Sequence, residues 1–96
     1  MPAYFRLNPL SALEGLPKLW LGVLSTPSMA GLQAATLSFP GSHGLVITKI
    51  EGSVLGADGT EMLFQIDRDD ELMGYLTHVG KGKATFVVAL RAGYTS

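Results

Sequence analysis

Cysteine is absent from the sequence. Without thiols the chain can form neither a disulfide framework nor a cysteine-ligated zinc site, and it has no thiol nucleophile. Charge is also scarce, because only 16% of the residues are charged, whereas an average soluble domain has about 25%. The net charge is −1, so the chain lacks the basic excess that neutralises phosphates, and we expect no nucleic-acid binding.

The shortage of charge is concentrated in the first half of the chain. Arg6, Glu14 and Lys18 are the only charged residues before Lys49, so Leu19–Thr48 carries no charge. A membrane-spanning helix needs about 20 predominantly apolar residues, and two prolines interrupt this stretch. We therefore expect no membrane span, and we expect this uncharged half to be covered by a partner.

Ninety-six residues are enough for one domain, and the hydrophobic pattern predicts an all-β fold. Short strands separated by frequent turns are typical of a small antiparallel β-sandwich or barrel, here of about six strands. The predicted strands are Lys18–Ser25, 32–39, His43–Leu55, Glu61–Asp67, Leu72–Val79 and Ala84–Arg91. Residues 29–39 fit a helix as well as a strand, and the strand is our preference.

The second half carries the clearest strand signals. Asp58 and Gly59 stand between two strand patterns and predict a hairpin, since both residue types tolerate the positive φ of a primed turn. Alternation predicts one buried face containing Met62, Phe64 and Ile66, and another containing Phe86, Val88 and Leu90. The apolar run Lys18–Ser25 has no polar face, so we expect it to be buried on both sides.

Residues 1–17 show too little pattern for a core element. Asn8 can cap a short helical turn that begins at Pro9 and ends at Gly15. We therefore divide the chain into an extended N-terminal arm over residues 1–17, which lies on a neighbouring molecule, and a β-domain over residues 18–96.

Few residues are arranged for chemistry. The acidic cluster Asp67–Glu71 lacks the glycine and the distal glutamate of a helix-loop-helix calcium site, so we interpret it as a solvated turn and leave calcium binding open. His43 and His78 have no serine in a nucleophile motif beside them. We expect no catalytic residue, no metal and no cofactor, and hence no enzyme.

These observations favour a protein that acts by adhesion. We expect a structural subunit of an assembly, in contact with other subunits and with copies of itself. The interface should use aromatic and leucine side chains, namely Tyr4, Phe5, Leu10, Leu13, Trp20 and Leu21. A virion is the expected setting, with the chain assembled in the host cytoplasm as a capsid decoration, cement or spike-base protein. The alternative is a small β-barrel module that binds a peptide, a glycan or an apolar ligand.

Overall fold

The structure is a computed structural model that describes residues 1–9, 11, 15–80 and 83–93. Five strands and two helices make up this part of the chain. Their bounds are β1 Pro2–Leu7, β2 Leu19–Val23, α1 Met29–Thr36, β3 Leu45–Leu55, β4 Glu61–Gln65, α2 Asp69–Val79 and β5 Thr85–Ala92. Neither described helix has the length and apolar character needed to cross a membrane.

The strands form one sheet in the order β2-β1-β5-β3-β4. β1 and β5 are parallel, whereas every other neighbouring pair is antiparallel. The prediction of a β-rich fold is therefore confirmed. The sheet is mixed, has five strands and is not closed, so the predicted antiparallel sandwich or barrel of about six strands is not confirmed in the described residues. Two of the predicted strands are helices.

β1 replaces part of the expected N-terminal arm. Ala3 and Phe5 are buried, and Phe5 lies opposite Trp20 of β2 and Phe86 of β5. Residues 2–7 are therefore an interior strand of the chain's own sheet, and the division at residue 17 does not describe them. The sequence did not reveal this strand because its parallel partner lies at the other end of the chain.

α2 occupies the segment Leu72–Val79 that was predicted as a strand. Leu72, Tyr75 and Val79 recur at helical spacing, and the first two are fully covered. Three acidic residues occupy the first turn, where their negative charges interact favourably with the positive end of the helix dipole. The helix ends at Gly80, whose φ of +82° suits glycine.

α1 resolves the ambiguity of residues 29–39 in favour of a helix over Met29–Thr36, so the preferred strand is wrong there. Ser28 is the N-cap, and its hydroxyl accepts a hydrogen bond from the Gly31 N–H at 3.1 Å. The first N–H of the helix donates to the Asp69 carboxylate at 2.8 Å, which joins the starts of the two helices.

The helices cover one face of the sheet, and an aromatic cluster fills the space between. The ring centroids of Phe5 and Phe86 are 5.5 Å apart, and those of Phe5 and Trp20 are 5.9 Å apart. Phe39 extends the cluster at 4.7 Å from Trp20, and Tyr75 of α2 meets Phe86 at 5.3 Å. The predicted burial of Phe86, with Val88 and Leu90 on its face, is confirmed.

The predicted Asp58-Gly59 hairpin joins β3 to β4. Gly59 has φ +83°, and its N–H donates to the Gly56 carbonyl at 3.0 Å. Asp58 keeps a negative φ, so the loop is a turn followed by a glycine bulge rather than a two-residue primed turn. The Asp58 carboxylate accepts from the Thr60 N–H at 3.0 Å, and this hydrogen bond lowers the pKa of Asp58.

β4 is less buried than its alternation predicts. Phe64 lies opposite Gly52 and thus on the core face, but its side chain is 50% exposed, and that of Met62 is 45% exposed. Only Ile66, just beyond the strand, is buried. β4 is one of the two edge strands, and α2 covers the sheet only as far as β3.

Candidate protein interface

Two of the predicted interface residues are interior. Phe5 is completely buried, and Trp20 is 8% exposed. The indole Nε1–H of Trp20 donates to the main-chain carbonyl of Thr36 at 3.1 Å, which holds the last turn of α1 against β2. Both rings stabilise the chain's own core, so the prediction that they contact a partner is wrong.

Two other predicted residues do face outward. Tyr4 and Leu21 lie opposite each other on the sheet face away from the helices, and their side chains are 44% and 63% exposed. Leu10 and Leu13 lie outside the described residues.

The outward face of β2 extends this exposed surface. Leu19 and Val23 flank Leu21 on the same side of the strand and are 60% and 65% exposed. The expectation that this segment is buried on both faces is therefore wrong. We call Tyr4, Leu19, Leu21 and Val23 the edge patch. The sequence missed Leu19 and Val23 because the residues between them are equally apolar, so no polar face marked the outside.

The free edge of β2 accompanies the edge patch. The Leu24 N–H donates to the Met1 carbonyl at 2.8 Å, the Met1 amino group donates to the Leu24 carbonyl at 3.1 Å, and the Leu7 N–H donates to the Lys18 carbonyl at 3.0 Å. In an antiparallel ladder, hydrogen-bonded residue pairs alternate with non-hydrogen-bonded pairs. Because residues 18 and 24 are hydrogen-bonded to β1, residues 19, 21 and 23 direct their N–H and C=O groups away from β1. Within the described residues no strand pairs with that side, and no main-chain hydrogen bond is made there.

A polar contact bounds the edge patch on the outer face. Arg6 Nη2 donates to Glu61 Oε1 at 2.6 Å, and the Ser53 hydroxyl donates to Glu61 Oε2 at 2.6 Å. The Arg6 hydrogen bond, with that of Ser53, holds the pKa of Glu61 below its ordinary value. Exposed ion pairs contribute little stability, so this contact adds little to the free energy of folding.

Tyr75 lies at the fork, the point where β3 and β5 stop pairing with each other. The pairing of these strands ends at Gly52 and Phe86, whereas β3 continues to pair with β4. The Tyr75 hydroxyl lies 2.8 Å from the carbonyls of both Ser53 and Thr85, and the Thr85 N–H donates to it at 3.0 Å. Burial raises the pKa of Tyr75.

A groove of about 400 Å³ separates α2 from β4. Its apolar walls include Val54, Phe64 and Tyr75, and Glu71 and His78 of α2 supply polar groups. This groove exists because β4 lies beyond the part of the sheet that α2 covers. It is the second surface at which a partner could bind.

The predicted acidic turn is the start of α2. Asp69 accepts from α1, the Asp67 N–H donates to Glu71 Oε1 at 3.0 Å, and Arg68 lies 3.3 Å from Asp70. Asp69 therefore joins the starts of the two helices, and Asp70 and Glu71 make local contacts at the start of α2. In the described part of the chain, no three His, Asp or Glu side chains are grouped so that they could hold a metal ion.

Comparison with known proteins gives a family and no named relative. No curated protein and no solved structure matches the chain. A family model matches residues 1–93, a range that includes every strand and helix described above. The chain therefore belongs to the family described as a domain of unknown function, DUF7767.

Proposed function

We propose that this chain is a non-enzymatic assembly subunit that binds other protein subunits through the edge patch. The observation that carries the proposal is the exposure of Leu19, Leu21 and Val23, each at least 60% exposed along one uncharged edge strand. A contiguous apolar surface of this kind is typical of an interaction site, whereas single exposed apolar residues are not.

The distribution of charge supports the same surface. β2 and α1 both lie within the uncharged run Leu19–Thr48, and α1 presents Ala30, Gln33 and Ala34 to solvent. Interface cores are depleted of charged residues. The exposed charges of the described residues instead belong largely to the hairpin after β3 and to the start of α2.

The finer form of the proposal places this subunit in a virion, as a capsid decoration, cement or spike-base protein. Its support is the small, cysteine-free chain with one apolar end, which suits a building block that acts by adhesion. Quantitative mass spectrometry of purified particles tests this form. A fixed copy number per particle would support it, and absence from particles would contradict it while leaving other assemblies open.

The assembly role is tested by a matched pair of variants in the protein's own cellular background. Leu21→Lys places a charge in the edge patch, and Leu55→Lys places the same charge on a leucine that is 71% exposed at the far end of β3. Gel filtration of the lysate should show wild type and Leu55→Lys in a large complex and Leu21→Lys free. If all three elute as free chains, the proposal is wrong.

The groove between α2 and β4 favours a second candidate function, a small module that binds an apolar ligand or peptide. Ligand sites are usually clefts of about 300–1,000 Å³ with apolar walls and a few polar groups. The position of a Cβ at Gly74 has no neighbour within 4 Å, so Gly74→Leu should fill the groove without disturbing the core. NMR titration with indole should shift the amides around Phe64 in wild type and not in Gly74→Leu.

A further inference from the structure

We infer that one partner of the edge patch is a second copy of this chain, whose β2 pairs antiparallel with β2 of the first, centred on Leu21. This inference rests on the proposed function, because it names the occupant of the same surface. The result is a dimer in which two five-stranded sheets become one continuous sheet.

The main chain of β2 has the right alternation for this pairing. Its outward N–H and C=O groups belong to residues 19, 21 and 23, as the β1 hydrogen bonds require. With Leu21 on the twofold axis, residue 19 lies opposite residue 23 of the second copy. Every outward group then meets an outward group, and each opposed pair exchanges both of its hydrogen bonds.

The side chains are self-complementary in the same register. Leu19 lies beside Val23 of the second copy, and Leu21 lies beside its own equivalent, all on one face of the joined sheet. Lys18, the charged residue next to β2 in the sequence, lies opposite position 24 of the second copy, so the two lysines are at opposite ends of the paired strands. A twofold contact therefore extends the apolar row without opposing like charges.

β2 also lacks the features that normally protect a free edge. Natural edge strands carry a charge, a proline or a bulge that prevents pairing with another chain. Leu19–Val23 contains no charged residue and no proline, and its register with β1 is regular. The opposite edge, β4, differs because Glu61 is charged and engages Arg6. Met62, Leu63 and Phe64 of β4 are also exposed, so β2 is distinguished only as the edge strand that contains no charged residue.

α1 is compatible with the approach of a second copy. It packs on the helix side of β2, where Trp20 bonds to its last turn. Neither its first nor its last turn carries a charge, and Ala30 and Ala34 are exposed one turn apart. The helices of two copies can therefore lie near each other without charge repulsion.

The size of the contact predicts how tight the dimer is. A stable interface buries about 800 Å² of each partner, roughly an eighth of the 6042 Å² surface of this chain. The proposed contact involves only a five-residue strand and one helix face, which are a modest part of the molecular surface. We therefore expect a reversible dimer whose population rises with concentration.

Sedimentation velocity of the purified chain tests the dimer directly. Wild type and Leu55→Lys should shift with concentration from 10.2 kDa towards twice that mass, and Leu21→Lys should stay monomeric. Circular dichroism confirms that each variant is folded. A wild type that is monomeric up to near-millimolar concentration, or a dimer that persists in Leu21→Lys, overturns the inference.

Cross-linking tests the register independently. The chain has no cysteine, so Leu21→Cys introduces a single thiol on the proposed axis. Mild oxidation should link Leu21→Cys into covalent dimers, and a Leu55→Cys control should form no covalent dimer. If both variants link to the same extent, the pairing is wrong.

The failure of this inference is distinguishable from failure of the proposed function. A purified chain that is monomeric, together with a lysate complex that Leu21→Lys disrupts, means that the edge patch binds a different protein and the self-pairing is wrong. A purified dimer without any larger complex in the lysate upholds the pairing and contradicts the larger assembly.

Discussion

Gly52→Ala should be one of the most destabilising single-methyl changes in this protein. A Cβ at Gly52 would lie 2.7 Å from Cδ1 and Cε1 of the Tyr75 ring and 2.9 Å from Cγ. These distances are shorter than carbon atoms tolerate, so the ring must move. The ring has little room, because it contacts Phe86 and its hydroxyl is bonded to both strands at the fork.

The expected loss of unfolding free energy combines two effects. Insertion of a methyl group into a packed core costs about 1–3 kcal/mol. Displacement of the Tyr75 hydroxyl leaves buried main-chain groups unsatisfied, which costs a further 1–3 kcal/mol or so. The lower conformational entropy of the unfolded alanine variant offsets up to about 1 kcal/mol of this loss, so the net loss should be about 1–6 kcal/mol. This is a large part of the roughly 5–14 kcal/mol that stabilises a chain of this size.

Urea unfolding followed by far-ultraviolet circular dichroism measures this loss. Gly74→Ala is the matched control, because a Cβ at Gly74 meets nothing within 4 Å and alanine favours the helix by about 0.5–1 kcal/mol. Gly52→Ala should lower the midpoint strongly, and Gly74→Ala should raise it slightly. Tyr75→Phe should cost less in the Gly52→Ala background than alone, since the hydroxyl has already moved. A Gly52→Ala chain within about 0.5 kcal/mol of wild type would refute the packing argument.

Three further predictions concern the core, the edge and the outer face. Trp20→Phe removes the indole N–H that bonds to α1, so chemical denaturation should show a loss of about 1–3 kcal/mol. Phe86→Ala should cost about 3–5 kcal/mol, whereas Phe64→Ala, at a half-exposed edge position, should cost about 1 kcal/mol or less in the same assay. The pKa of Glu61 lies below its ordinary value of 4.5, so its contribution to stability is present above pH 4.5 and is lost as the pH falls through the lowered pKa. Arg6→Gln should raise this pKa in a carbon-13 NMR titration of the carboxyl group, and an unchanged pKa would mean that Arg6 is not the main cause.

Local patterns in the sequence predicted the hairpin but not the two helices. The hairpin at Asp58-Gly59 depends on neighbouring residues, and it is present. Leu72, Gly74 and Leu76 alternate as in a strand, and on that pattern the segment was wrongly predicted as a strand. Leu72 and Tyr75, three residues apart, are the buried residues of the helix that forms. Packing against the aromatic cluster decides in favour of the helix.

The interface could be predicted only in part. The shortage of charge before Lys49 pointed to the half of the chain that carries the edge patch, and Tyr4 and Leu21 are exposed there. Phe5 and Trp20 were misassigned because an aromatic residue in an uncharged segment suits a core and an interface equally. The pairing of β1 between β2 and β5 decides which side of each strand is covered, and no local pattern contains that information.

Amide hydrogen exchange of the native assembly tests the central claim most directly. In the purified native assembly, the main-chain amides of Leu19, Leu21 and Val23 should exchange slowly. In the monomeric Leu21→Lys variant, the amides of Leu19 and Val23 should exchange rapidly. The amides of β4 should exchange equally in both. Slow exchange at β4 with unchanged exchange at β2 would contradict the account, because the partner would then bind the opposite edge of the sheet.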